Sequence, residues 1–301
     1  MWILIALIAP AFYAMTNVLD KYMVHRYQKH LSPGALVFFM GIFSLVVLPF
    51  LGVIFPDSFF LASANILWLI IAGLITTLAW VPYMYALEKD DMSSVMPLYQ
   101  LHPVLTFVMA YLFLGEILSN TQIIGGSIII LGAIILTKDP TKKWGVRLDT
   151  LGLILLSSLC LVSVEIIFKD TVQSIPYQNT LFWFFLGHAL SGLLLLFVPS
   201  YRKEIKSFGK NVNRKFLGLM SINESLGLVA DTFNMYAILL APIALVKAIS
   251  GFQGVFVFLY GIIITLFFPA ILKEDLSRKT LIRKISALII MLIGSFIIAT
   301  Q

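Results

Sequence analysis

Ten long apolar runs, separated by short connections, take up most of this chain. They lie at 3–22, 34–55, 66–87, 92–114, 121–137, 150–169, 180–199, 216–240, 243–270 and 280–299. A helix needs about 20 apolar residues, with a range of roughly 17–25, to cross a bilayer core. Each run meets that requirement, and the sequence predicts an all-α membrane protein of ten transmembrane helices. The runs are continuous and do not alternate, which excludes a membrane β-barrel. Apolar residues make up 60% of the chain and charged ones 12%, against roughly 25% charged in a soluble domain. A soluble enzyme, a disordered chain, a coiled coil and a nucleic-acid-binding module are therefore excluded. The lone Cys160 leaves no disulfide framework and no cysteine metal cluster. Met1-Trp2-Ile3-Leu4 has no basic residue before its apolar run and no small-residue cleavage site, so it reads as a retained first helix.

The connections differ sharply in charge. The first carries Lys21, Arg26 and Lys29, the third Lys89, and the fifth Lys138, Lys142, Lys143 and Arg147. The seventh carries Arg202, Lys203, Lys206, Lys210, Arg214 and Lys215, and the ninth Lys273, Arg278, Lys279, Arg283 and Lys284. Odd connections thus hold 19 of the 21 Lys and Arg residues. Lys169 sits at the edge of an even connection and Lys247 inside a span. Basic short loops stay cytoplasmic, so the sequence predicts that both termini are extracytoplasmic. The lipid bilayer of the cell membrane is the expected setting.

The two halves resemble each other. Tyr83-Met84-Tyr85-Ala86-Leu87 matches Asn234-Met235-Tyr236-Ala237-Ile238 at an offset of 151. Leu114-Gly115-Glu116-Ile117-Leu118-Ser119 matches Leu272-Lys273-Glu274-Asp275-Leu276-Ser277, and Asn17-Val18-Leu19-Asp20-Lys21 lies on Glu165-Ile166-Ile167-Phe168-Lys169. Five spans per half is an odd number, so the second half must be inverted in the bilayer, a transporter architecture. The expected division is a first repeat over 1–138, a cytoplasmic linker over 139–149 and a second repeat over 150–301.

Tyr85-Ala86-Leu87, Pro97 and Pro103, Leu114-Gly115-Glu116, Gln122 and the Gly125 to Gly132 stretch resemble the drug/metabolite transporter superfamily, specifically its EamA-type ten-helix members. That resemblance implies two inverted five-helix repeats, a central cavity and secondary transport of small polar or amphiphilic metabolites. Many relatives place their basic residues at the N-terminus and second connection, opposite to the bias here.

The eighth run is the most polar, with Asn223, Glu224, Ser225, Asp231 and Asn234 among apolar residues. Glu224 and Asp231 are seven residues apart, on one helix face and ~10 Å apart along the axis. A carboxylate at that depth needs water or a partner. The pair can bind a cationic substrate or relay protons, or it can serve helix packing. Lys247 can hold an anionic substrate group, neutralise Asp231, or reach the membrane surface. His102, beside Pro103 and near Tyr99 and Gln100, corresponds by the repeat to Gln253. It can titrate near neutral pH or bond a carbonyl freed by the proline.

Trp80, Tyr83, Tyr85 and Tyr99 can line a cavity that holds organic cations, or sit in an interfacial belt. Asn17 and Glu165, related by the repeat, can face a cavity. Asp20, Lys21 and Lys169 lie near span ends and suit solvated anchors. His188 and the small-residue pairs Gly187–Ser191 and Ser221–Ser225 suit helix packing. Ser119 and Ser277 suit helix N-caps, which leaves Glu116 and Glu274 a role in turn geometry.

No zinc helix, P-loop or nucleophile elbow occurs in the sequence. The sequence reading is secondary transport of a small molecule by alternating access, coupled to protons or to exchange, with no cofactor and no nucleic acid. Glu224, Asp231, Asn234, Lys247, His102, Tyr83, Trp80 and Asn17 are the candidate substrate-binding residues. A flippase for lipid-linked intermediates, an intramembrane enzyme and a non-transporting subunit are the alternatives. Orientation is directly testable. A reporter active only outside the cytoplasm should be active when fused at the C-terminus and silent when placed within 200–215. The opposite pattern would contradict the charge reading.

Overall fold

The computed structural model describes residues 2–27, 32–56, 65–89, 95, 98, 101–137, 147–173, 175–267 and 277–299. Pro97, Tyr99, Gln100, Glu274 and most of the 139–149 linker lie outside these residues. Helices make up nearly all of the described residues, and no strand occurs among them. The first half contains α1 (Trp2–Tyr27), α2 (Pro33–Ile54), α3 (Asn65–Lys89), α4 (His102–Leu114) and α5 (Asn120–Thr137). The second contains α6 (Leu148–Val172), α7 (Tyr177–Leu195), α8 (Pro199–Asn211), α9 (Arg214–Leu240), α10 (Ile243–Ser250), α11 (Gln253–Phe267) and α12 (Arg278–Ala299).

Among the described residues, six stretches are long and apolar enough to cross a membrane: α1, α2, α3, α6, α12 and the combined α10–α11. Large apolar side chains face outward, with Phe50, Phe113, Phe267 and Phe296 each 64–71% exposed. A water-soluble surface does not carry so much exposed apolar area; lipid is the solvent these residues match.

Local sequence signals set the helix ends. Asn213 caps α9, its side chain accepting from the Phe216 N–H at 2.8 Å. Ser119 and Gln122 form a reciprocal capping box at the start of α5, with bonds of 2.9 and 3.3 Å. Ser277 directly precedes α12, its hydroxyl bonded to that of Thr280 at 3.2 Å. Gly115 ends α4 in the left-handed region at φ 64°, a conformation that glycine adopts without steric penalty.

Three segments differ from the sequence reading. The ninth run is not one helix: the chain turns at Gly251–Phe252, where i→i−3 bonds of 3.1 and 3.0 Å replace the α pattern. The fourth run shows the same change, with Leu101 N–H bonded to the Leu98 carbonyl before α4 begins at His102. The helices after the two turns thus start at His102 and Gln253, positions related by the repeat offset. Thirdly, the seventh connection is largely helical. It forms α8, bent 97° from α7. Its charged residues hid an amphipathic pattern that a search for apolar runs passes over.

Helix α1 packs along α9 and α3 along α6, while α2 packs on α7 and α5 on α12. Under the sequence correspondence, the first two pairs exchange with one another and the last two map onto themselves. The main core lies between these helices and includes Phe168, Phe184, Phe185, Ile238, Ile243 and Ile249. Met23, Ala35, Phe208, Phe216 and Met220 form a smaller core that joins the first and seventh connections at one end. Tyr83, Ala86, Val95 and Ile154 join the third and fifth. Since α12 runs antiparallel to α5, with Gly294 against Gly125 and Met291 against Gly132, the ninth connection reaches the same end. The helix ends that flank the basic connections therefore gather on one side of the bundle.

Glycine sets how closely α3 and α7 approach. A Cβ on Gly73 would stand 2.1 Å from the Phe184 carbonyl oxygen, and one on Gly187 would stand 2.2 Å from that of Ile70. Ser191, one turn beyond Gly187, is fully buried and donates to the His188 carbonyl at 2.6 Å. Ser225, by contrast, is exposed and bonds back to Ser221 in its own helix, so that pair is no packing seam. Gly187→Ala should force the two helices apart and destabilise by about 1–3 kcal/mol. Gly218→Ala, where a Cβ meets nothing within 4 Å, should be neutral or stabilising by up to ~1 kcal/mol. Thermal unfolding of the purified variants measures both.

Candidate functional site

Polar side chains from five helices meet in the bundle. Glu165 on α6 is its most buried carboxylate, with the side chain 5% exposed. One of its oxygens forms an ion pair with Lys247 of α10. The other stands 3.6 Å from His102 Nε2, at the start of α4. Lys247 also donates to Asn234 Oδ1 of α9 at 3.2 Å. Lys247 thus pairs with Glu165, not with Asp231 as one reading of the sequence had it. The reason is geometric: α10 packs chiefly on α4 and less on α9, and Glu165 of α6 reaches the Lys247 ammonium there. A buried charge without this partner would be strongly unfavourable.

A second group lies between α1 and α9. Tyr13, Asn17 and Asp20 are spaced i, i+4 and i+7, on one face of α1. The Tyr13 hydroxyl donates to Asp231. Asn223 Nδ2 donates to Asp20 Oδ1 at 2.9 Å. The helices therefore cross antiparallel in register, with Tyr13 against Asp231 at one rung and Asp20 against Asn223 at the other. Glu224 lies within electrostatic range of both Asp20 and Asp231. Asn17 on α1 and Gly227 on α9 fall between the rungs. A Cβ built on Gly227 meets no atom within 4 Å, so the space there is open. The structure brings Asp231, Glu224 and Asn17 onto this seam, and links Asn234, Lys247 and His102 through Glu165.

Tyr83 is buried and meets Trp80 edge-on at 5.3 Å. It is close enough to Asp20 to interact electrostatically, so it flanks the α1–α9 seam. Tyr85 is placed elsewhere, its hydroxyl 3.4 Å from that of Tyr201 at the basic end. His188 is buried against the edges of Phe184 and Phe185, with ring centroids 4.7 and 5.8 Å away. The role expected of it is a packing hydrogen bond; among the described residues its buried Nε2 has no hydrogen-bond partner, and the two rings hold it instead. Asp20 is engaged by Asn223 and is not simply a surface anchor. Tyr13 and the central place of Glu165 were missed. Glu165 had a signal, as an acidic residue deep within an apolar run; Tyr13, one of three tyrosines in α1, had none.

At the end opposite the basic connections, Glu116 does more than shape a turn. One oxygen forms an ion pair with Lys169 in the last turn of α6. The other accepts from the Ile243 N–H at 2.9 Å, at the start of α10, where a helix N-terminus favours negative charge. Lys169 also donates to the Ala241 carbonyl at 2.9 Å. The fourth, sixth and eighth connections are thereby tied together.

Among the described residues no group of three or more His, Cys, Asp or Glu side chains could hold a metal ion. The central pair makes a stability prediction. Glu165→Gln leaves Lys247 buried without its counter-charge and should destabilise by about 3–5 kcal/mol. Glu165→Gln combined with Lys247→Met should recover most of that loss. Unfolding midpoints of the three variants check it, and strict additivity of the two single changes would contradict the pairing.

Comparison with known proteins supplies the context. Residues 1–138 match the EamA-like transporter family. A protein described as an uncharacterized transporter, found in two strains of Helicobacter pylori, is 25% identical over 189 residues, 62% of this chain and 61% of its own length. The chain thus spans less than two thirds of these relatives. An uncharacterized protein of Methanocaldococcus jannaschii is 28% identical over 137 residues, 45% of this chain and 95% of its own. One solved crystal structure superposes over 97% of both chains with a TM-score of 0.69 at 14% identity, a likeness that speaks for the fold alone. The family that the sequence resembles is the one whose model matches residues 1–138 of this multi-pass membrane protein, the EamA-like transporter family.

Proposed function

We propose that this chain is a secondary transporter that moves a small polar or amphiphilic metabolite across the cell membrane by alternating access, coupled to protons or to exchange. One observation carries the reading. Carboxylates, amides, a lysine and a histidine from five helices converge inside an apolar bundle, beside an open space at Gly227. Intramembrane ionisable groups of this kind mark substrate and ion pathways. In this reading the α1–α9 seam holds the substrate, with Asp231, Glu224 and Asn17 facing it. Four carboxylates, Asp20, Glu165, Glu224 and Asp231, against the one lysine Lys247 favour a cationic or zwitterionic solute. The Glu165–Lys247–His102 cluster sits at its inner edge and links it to the turn between α10 and α11.

The ten runs then form two inverted five-helix halves, 1–138 and 150–301, with both termini extracytoplasmic. Three findings support this arrangement: the α1–α9 and α3–α6 pairs correspond, α4 and α11 begin at positions related by the repeat, and the helix ends that flank the basic connections share one side. The Glu116–Lys169 tie closes the opposite end in the conformation described here.

The seam can be tested with protein in proteoliposomes and a panel of labelled amines and zwitterions. For the solute that the unmodified protein moves, Asp231→Asn and Glu224→Gln should leave a folded protein whose flux falls at least tenfold or loses its pH dependence. These changes keep shape and hydrogen bonding but remove the charge. Full flux with an unchanged pH profile in both variants would contradict the assignment.

A further inference from the structure

Helix α8 has no part in the transport reading, and its geometry sets it apart from every other helix. The chain is apolar through the end of α7 and on to Val198. Phe197, at the corner, is 75% exposed. The path then bends by 97°. If α7 runs through the bilayer, α8 lies along the membrane surface at the level of the headgroups, with Phe197 and the half-exposed Val198 at the edge of the acyl chains.

The two faces of α8 have opposite characters. Tyr201, Glu204, Ile205 and Phe208 are spaced i, i+3, i+4 and i+7, on one side. That side is taken up by protein: Phe208 is buried against Phe216 and Met220, and Glu204 accepts from the Gly34 N–H at 3.0 Å. Arg202, Lys203 and Lys206 are on the other side and are exposed. Glu204 is the only acidic residue in the helix, and it points inward, so the outer face is purely cationic. Arg202 Nε donates to the Leu196 carbonyl at 2.8 Å, which holds the guanidinium at the corner beside Phe197. Among the described residues, neither Lys203 nor Lys206 enters an ion pair. Arg214 and Lys215, exposed at the start of α9, extend the same charge.

We propose that the α7–α8 corner and the outer face of α8 bind the headgroups of anionic phospholipids. An in-plane helix with basic residues on its polar face and an exposed aromatic residue at its edge has the chemistry of an interfacial lipid-binding element. Each lysine or arginine near an anionic surface adds about 1 kcal/mol, which is roughly a fivefold gain in affinity. Through Phe208 and Phe216, bound lipid also steadies the first turn of α9, the helix that carries Asp231 and Glu224.

The test uses the full-length protein in bicelles of phosphatidylcholine, titrated with phosphatidylglycerol and followed by native mass spectrometry of retained lipid. Phosphatidylglycerol should be retained in preference to phosphatidylcholine, and the preference should weaken with salt. Lys203→Gln with Lys206→Gln should reduce apparent affinity for phosphatidylglycerol by about 25-fold. Lys203→Arg with Lys206→Arg keeps the charge and should retain it, which controls for folding. No lipid preference in the unmodified protein would overturn the proposal, as would an equal preference in the glutamine variant. Displacement of the lipid by inorganic phosphate at millimolar concentration would also overturn it, in favour of a free-anion site.

Discussion

An ionised side chain inside an apolar bundle must find a partner or water, and that requirement organises the middle of this protein. Glu165 and Lys247 are the deepest pair of opposite charges in it. Their ion pair bridges α6 and α10, while Asn234 of α9 accepts from Lys247 and His102 of α4 stands 3.6 Å from the second Glu165 oxygen. Breaking such a pair is more damaging than never having had it. The pair therefore fixes which helices meet, and the meeting places the α1–α9 seam beside it.

The seam obeys a different rule. Of its three carboxylates, Asp20 and Asp231 have neutral hydrogen-bonding neighbours, Asn223 and Tyr13; Glu224 lies within electrostatic range of both, and Lys247 lies only within longer electrostatic range of Asp231. Among the described residues, no basic side chain balances their charge at contact distance. Protons or a cationic solute supply the balance in the transport reading, and the open space beside Gly227 gives them room. Close glycine contacts between α3 and α7 do the opposite, locking neighbouring helices so that the gap does not collapse.

Much of the fold was legible in the sequence, because membrane helices announce themselves by length and hydropathy. One correspondence of the proposed repeat carries into the structure: the offset that aligns Tyr85 with Tyr236 also aligns the starts of α4 and α11. What escaped was local geometry. Gly251 and Phe252 carry no strong break signal, so the ninth run read as continuous. Helix α8 hid in a connection because its periodic row, Tyr201, Ile205 and Phe208, is outnumbered by charges. In the site, Asp231 and Glu224 stood out as acids in an apolar run. The partner of Lys247 did not, since Glu165 lies 82 positions away and nothing in either neighbourhood names the other. Tyr13 gave no sign because a tyrosine in a membrane helix has many ordinary uses.

The central claim is that the α1–α9 seam opens to water within the bundle, and accessibility tests it most directly. In a background with Cys160 replaced by serine, cysteine is introduced at Gly227, facing the seam, or at Val229, which is 37% exposed on the outer surface. Both positions have room for a probe, but only the first should meet water. A membrane-impermeant maleimide applied to intact membranes and to inverted vesicles should label Gly227→Cys from at least one side and leave Val229→Cys unlabelled. Labelling of Val229→Cys with Gly227→Cys silent from both sides would contradict the account.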